Sequence, residues 1–181
     1  MLYINYTRKL KKEQESDIIT FMIVKFLQLN IGMGMFLKRV IKFIKVNDIH
    51  IVNLQEVSGG KVSDKQGVDC FKNLKRSLDS YNGELVRSWQ IENDQSSYFG
   101  NATFFKKEFA LNKKEIFWLK EFREVPYYSS DIIIDDTFPR CALFLQLKRG
   151  GKNLWIVNAH LTRGENHKDN TEKLSQGKKL F

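Results

Sequence analysis

Ile51-Val52-Asn53-Leu54-Gln55-Glu56-Val57 is apolar for most of its length and then sets an amide and a carboxylate side by side. Such a run, opening at Ile49, reads as a largely buried strand, and polar groups at a strand end stand where folds tend to put their chemistry. Upstream, Phe36, Leu37, Val40, Ile41 and Ile44 recur at helical spacing among Lys38, Arg39, Lys42 and Lys45. An amphipathic helix therefore precedes the strand, and Asn47-Asp48 breaks it. Before the helix, Ile23 to Asn30 reads as another strand, again with a polar residue at its end. The opening unit is strand, helix, strand, closed by Gly59-Gly60.

Working outward, a second helix is expected from about Lys65 to Ser80, with Val68, Phe71, Leu74 and Leu78 on one face and Tyr81-Asn82-Gly83 as its stop. Tyr98 to Phe105 and Phe109 to Leu119 read as strands joined in a hairpin through Lys106-Lys107-Glu108. A second hairpin runs from Arg140 to Lys148, turns at Gly150-Gly151 and returns from Asn153 to Leu161. Strands paired across a core with helices outside make an α+β fold rather than a doubly wound sheet. The polar tail from Thr162 to Phe181 has a weak helical tendency over Asn170 to Leu180. Residues 1–21 read as a polar N-terminal extension, with Met22 as a candidate native start, and residues 22–181 as one domain.

The chain has 181 residues, with 30 Lys plus Arg against 21 Asp plus Glu, a formal net charge of +9. That balance favours anionic partners. The excess falls largely in scattered pairs such as Lys106-Lys107 and Lys113-Lys114, which read as solvated lysines ahead of a dedicated patch. Cys70 and Cys141 sit in apolar patterns without C-x-x-C spacing, which fits a reducing, cytoplasmic setting. The apolar stretch Ile18 to Leu29 is broken by Lys25 and Gln28 and is too short to span a membrane.

Three polar residues close strands: Asn30, Glu56 and His160. In a two-residue repeat Asn158 and His160 share a face with Leu154 and Ile156, so one buried strand delivers two polar groups to one region. Taken singly, each has an ordinary reading as a turn former, a solvated acid or a hydrogen-bonded structural histidine. Together, Phe26-Leu27-Gln28-Leu29-Asn30, Ile51-Val52-Asn53-Leu54-Gln55-Glu56-Val57, Tyr98-Phe99-Gly100-Asn101-Ala102 and Trp155-Ile156-Val157-Asn158-Ala159-His160-Leu161 resemble the motifs of the endonuclease/exonuclease/phosphatase (DNase I-like) family, in that family's order. Phe138-Pro139-Arg140-Cys141-Ala142 resembles the segment in which the family often places a phosphate-facing arginine.

The resemblance implies a four-layer α/β sandwich, here its N-terminal portion only, with two mostly antiparallel sheets face to face and helices outside. It implies a hydrolase of phosphodiester or phosphomonoester bonds that uses Mg²⁺ (or Mn²⁺). Glu56 and Asn30 would serve the metal, since Mg²⁺ keeps several waters and takes only one or two carboxylates. His160 would hydrogen-bond the phosphate or move a proton, and Arg140 would offer its planar fork to phosphate oxygens, its alternative being an ordinary ion pair. Asn101 would contact substrate or else mark a turn or bulge, and Asn158 would support catalysis from behind. Two further family words, Gly-Asp-x-Asn and Ser-Asp-His, do not occur, and Asp169-Asn170 is a poor substitute for them. The expectation is a truncated form with an incomplete site. Its partners would be a phosphate-ester substrate, nucleic acid included, and a second polypeptide that completes the fold. The alternative is a non-catalytic module that binds polyanions or completes its sheets with that partner.

Overall fold

The computed structural model describes residues 23–127, 139–162 and 171–180. The N-terminal extension, Met22 and Asp169-Asn170 lie outside the described residues. Within them, β1 (Phe26–Asn30), α1 (Leu37–Val46) and β2 (Ile51–Gly59) form the expected opening unit, with β1 parallel to β2. Val40 and Ile44 bury the apolar face of α1. Its C-terminus is closed by local chemistry: Asn47 donates from its backbone N and from Nδ2 to the carbonyl of Phe43, and Asp48 adopts φ 51°. Ile49 N then bonds Ile44 O and Asp48 N bonds Lys45 O, which satisfies carbonyls the helix would otherwise orphan.

α2 is shorter than its periodicity predicts, running Cys70–Ser77. Asp69 is its N-cap and accepts from Lys72 N at 2.8 Å, while Gly67, at φ 80°, breaks the segment before it. Tyr81-Asn82-Gly83 opens a strand instead of merely stopping a helix. β3 (Tyr81–Ile91) pairs antiparallel with β4 (Asp94–Lys106) and in parallel with the short β6 (Arg123–Val125). The first sheet thus runs β1-β2-β4-β3-β6.

The expected hairpin between the strands flanking Lys106-Lys107-Glu108 does not form. β5 (Ala110–Lys120) pairs with β7 (Arg140–Arg149), and β7 with β8 (Lys152–Ala159), in a separate sheet of order β5-β7-β8. The physical reason is that the turn changes layers: Phe105 and Phe109 on either side of it are both buried in the core between the sheets. The hairpin around Gly150-Gly151 forms as expected, and α3 (Thr171–Leu180) occupies the segment of weak helical tendency.

Two apolar layers result. Val40, Ile44, Cys70 and Leu74 of the helices pack on Val52, Leu54, Ala102 and Phe104, and Ile51, Val86 and Phe105 pack on Cys141, Leu143, Leu145 and Leu147 between the sheets. Each large aliphatic side chain so buried contributes about 1.5–3 kcal/mol. The opposite face of the three-stranded sheet is less well covered. Phe117 and Trp155, on the same face as Phe144 by register, are 41% and 51% exposed. Cys70 and Cys141 are buried and free, and no helix among the described residues is long and apolar enough to cross a membrane.

Gly100 shows why a motif word carries a glycine. A Cβ built there would lie 2.0 Å from Val86 O, a backbone atom of the neighbouring strand. Gly100→Ala must therefore push β3 away from β4, and should lower stability by about 2 kcal/mol in urea unfolding. A loss below about 0.5 kcal/mol would show that the two strands adjust freely.

Candidate functional site

Glu56 is placed by a bulge. The register of β2 against β4 slips between Leu54 and Val57, and Glu56 takes φ 56°, a left-handed conformation that costs a non-glycine residue about 1–2 kcal/mol. The slip breaks the alternation of the strand. Gln55 stays buried between the sheets, while the Glu56 carboxylate remains only partly buried, inside β2 at the bulge rather than at the strand end expected from the sequence, since the ladder resumes from Val57 to Gly59. Strain of this kind, held in place by a surrounding sheet, is found at functional sites more than elsewhere.

Asn30 arrives beside it because β1 is parallel to β2, with Asn30 opposite Gln55. Its Nδ2 donates to Glu56 Oε1 at 2.7 Å, and its Oδ1 accepts from Gly32 N at 2.9 Å. The second bond fixes which way the amide faces: nitrogen toward the carboxylate, oxygen toward the backbone. Asn30 is therefore set to hold Glu56 in position. Glu56 Oε2 makes no hydrogen bond among the described residues.

His160 follows the last residue of β8. Its Nε2 lies 3.9 Å from Glu56 Oε1, and its ring packs against Phe99 at 6.2 Å between centroids. Burial, and then the nearby Arg140 cation, push its pKa down to about 4, so the imidazole is neutral near pH 7. Its Nδ1 is buried without a hydrogen-bond partner among the described residues. Arg140 opens β7, whose Ala142 pairs with Ala159, so the antiparallel register brings the arginine to the same end as His160. It is 6% exposed, a setting unlike that of a surface ion pair.

The other two candidates lie deeper. Asn101 is buried in β4, and its Nδ2 donates to Cys141 O at 3.1 Å, which ties the sheets together next to Arg140; its Oδ1 is buried without a partner among the described residues. Asn158 is fully buried. Its Nδ2 faces Leu54 O at 3.1 Å, Ala102 O at 2.9 Å and Thr103 Oγ1 at 3.3 Å, and its Oδ1 accepts from Gln55 Nε2 at 2.7 Å. Asn53 extends the seam, donating to Val157 O at 2.8 Å and accepting from Thr103 Oγ1 at 2.8 Å. Sequence reasoning noted Gln55 only as the neighbour of Glu56 and gave no role to Asn53, Gln55 or Thr103. The only available signal was a row of amides on alternate positions of an otherwise apolar strand.

Among the described residues no group of three or more His, Cys, Asp or Glu side chains could hold a metal ion. A single hard oxygen on Glu56, with Oε2 open, nevertheless suits an ion that keeps most of its waters. A metal that demands a full protein cage does not fit these residues.

No protein-family model matches the sequence, and no curated protein matches it. Solved structures do match. An endonuclease/exonuclease/phosphatase from Bacteroides vulgatus is 22% identical with a TM-score of 0.53, over 78% of this chain and 53% of that one. Mannosyl-6-phosphatase of Bacteroides thetaiotaomicron is 20% identical with a TM-score of 0.54, over 85% and 57%. D. rerio TDP2, solved with a single-strand DNA product, is 15% identical with a TM-score of 0.57, over 85% and 51%. At these identities the likeness shows the fold, which is DNase I-like. The chain spans about half the length of the structures it matches.

Proposed function

We propose that this chain supplies one half of a metal-dependent site that hydrolyses phosphate esters. The observation that carries the reading is the strained bulge at Glu56, which sets a carboxylate with one open oxygen 2.7 Å from Asn30 and 3.9 Å from His160. The DNase I-like fold of phosphatases and nucleases supports it. Glu56 would hold Mg²⁺ or Mn²⁺, with Asn30 orienting the carboxylate. The ion would supply neutralisation of phosphoryl charge and a lower pKa for bound water.

The remaining steps belong to side chains. A neutral His160 can donate one ring N–H to a phosphoryl oxygen or pass a proton, and Arg140 adds a fixed positive charge beside it. Asn158 and Asn101 act from behind, by keeping the sheets that carry these groups together. The groups that would orient a nucleophilic water in the family's words, Gly-Asp-x-Asn and Ser-Asp-His, do not occur in these 181 residues. We therefore expect the 181-residue chain to bind the metal but to turn over a phosphodiester no faster than background.

The experiment is Mn²⁺ binding by water-proton relaxation, run beside hydrolysis of bis-p-nitrophenyl phosphate. Binding should be lost in Glu56→Gln and weakened about tenfold or more in Asn30→Ala. Binding unchanged by Glu56→Gln would sink the metal reading. Mg²⁺-dependent turnover abolished by Glu56→Ala or His160→Ala would uphold the chemistry and overturn the expectation that the site is incomplete.

A second reading has its own support. The exposed Phe117 and Trp155 lie on the less covered face of a sheet whose edge, among the described residues, is β8. A second polypeptide that pairs with β8 and covers that face would complete the sandwich. The two buried free thiols suit a reducing, cytoplasmic setting.

A further inference from the structure

α1 and α2 lie side by side on the five-stranded sheet, and an open groove of about 550 Å³ runs between them, lined in part by Met35, Phe36, Lys38, Arg39, Lys65 and Asn73. It begins where the chain has just left the candidate site: the single 3-10 turn Gly32–Gly34 connects Asn30 to the groove wall. No acidic residue lines it. Neither helix contains an acidic residue, while α1 holds four cations and α2 three. Among the described residues Lys38, Arg39 and Lys65 pair with no carboxylate. Of the seven cations on the two helices only Lys72 pairs with a carboxylate among the described residues, that of Asp69 at 3.6 Å, so the helical layer concentrates positive charge.

The groove also offers a stacking surface. Phe36 is 53% exposed, and the Arg39 guanidinium lies over its ring at 5.9 Å from the centroid. A half-exposed phenyl ring beside unpaired cations matches a ligand with both planar apolar faces and repeating negative charges. Single-stranded nucleic acid has both. A duplex hides its base faces and could use only the charges.

An anionic membrane is the competing polyanion, and the geometry disfavours it. A helix that lies in a bilayer surface needs a free apolar face. The apolar face of α1 is spent on the core through Val40 and Ile44, and Met35 and Phe36 line a concave groove that also contains Ser63, Asn73 and Ser77.

We propose that the groove between α1 and α2 is a docking site for single-stranded polynucleotide, separate from the Glu56–His160 site, with phosphates against Lys38, Arg39 and Lys65 and a base stacked on Phe36. The inference goes beyond the hydrolase reading and does not require it, because binding is measured in EDTA, where no metal-dependent chemistry occurs.

The test is fluorescence anisotropy of a labelled 12-nucleotide oligo-dT with the 181-residue chain in EDTA, over a salt series. Phe36→Ala should weaken binding about tenfold, and both Phe36 and the lysines are surface groups, so the variants should fold. Lys38→Gln combined with Lys65→Gln should lower the slope of log K against log salt by about 1.4, as expected for two phosphates released from a single strand. Lys152→Gln, on β8 of the other sheet, should lower affinity far less than either. The proposal is overturned if oligo-dT does not bind, if Phe36→Ala leaves affinity unchanged, or if duplex of the same length binds as tightly. Binding to phosphatidylserine vesicles without binding to oligo-dT would overturn it in favour of a membrane.

Discussion

Asn158→Ala should remove about 3–5 kcal/mol of folding stability. The side chain is fully buried between the sheets and spends both ends of its amide on other strands. Truncation leaves Gln55 Nε2 without its acceptor and strips a donor from the carbonyls of Leu54 and Ala102. Each buried polar group left unsatisfied costs about 1–3 kcal/mol, and the vacated volume adds a cavity. Asn158→Asp preserves the shape but removes the donor and buries a charge, so it should be no milder. Asn153→Ala, on the same strand but exposed, should stay within about 0.5 kcal/mol of the parent. Urea unfolding of the three variants decides the matter. If Asn158→Ala costs less than about 1 kcal/mol, the polar seam is not what locks the two sheets, and the placement of His160 beside Glu56 must depend on the apolar core alone.

That seam marks the boundary of what the sequence could reveal. The strand-helix-strand opening was legible because period and punctuation agree: apolar residues every three or four positions in α1, Asn47-Asp48 at its end, and a continuous apolar run in β2. Asn30, Glu56 and His160 were legible as polar residues closing apolar runs, although only Asn30 and His160 stand at strand ends and β2 continues past Glu56 to Gly59. The bulge that aims Glu56 was not, because a register slip is set by the partner strand and leaves no local mark. β3 was missed for a related reason. Gly83 read as a helix stop, whereas a Cβ there would lie 2.5 Å from the Phe104 ring across the sheet, so the glycine makes room for a neighbour. The turn at Lys106-Lys107-Glu108 has the length of a hairpin, and only the burial of Phe105 and Phe109 between two layers reveals that it changes sheets. Charge behaved likewise. Lysines scattered along the chain read as a solvated surface, and folding gathers those of α1 and α2 on one layer.

Acidification should weaken the fold through His160, and the sign follows from its environment. Burial, with the Arg140 cation second, lowers the folded pKa to about 4, against 6.5 for an unperturbed histidine. Between those values the unfolded chain takes up a proton that the folded chain refuses. The histidine therefore leaves stability untouched above about pH 7 and subtracts from it as pH falls through 6.5 toward 4. Without divalent ion, the loss between pH 7.5 and pH 5 should be about 2 kcal/mol, an upper figure because the side chain keeps 25% of its exposure. His50 adds in the same direction. Burial lowers its pKa first, and Nδ1 accepts from Lys25 N, a bond that protonation there would remove. Asp48 and Asp94, whose pKa values are lowered, act mainly below this window, where they would begin to be protonated. His160→Gln in EDTA should flatten the urea-derived stability between pH 7.5 and 5 by most of that 2 kcal/mol, and His50→Gln should flatten it further. An acid-side loss that grows steeper in His160→Gln would mean that the folded ring holds its proton more tightly than the unfolded one and is charged at neutral pH. It would then face phosphate as a cation, and the role of a neutral donor beside Arg140 would have to be given up.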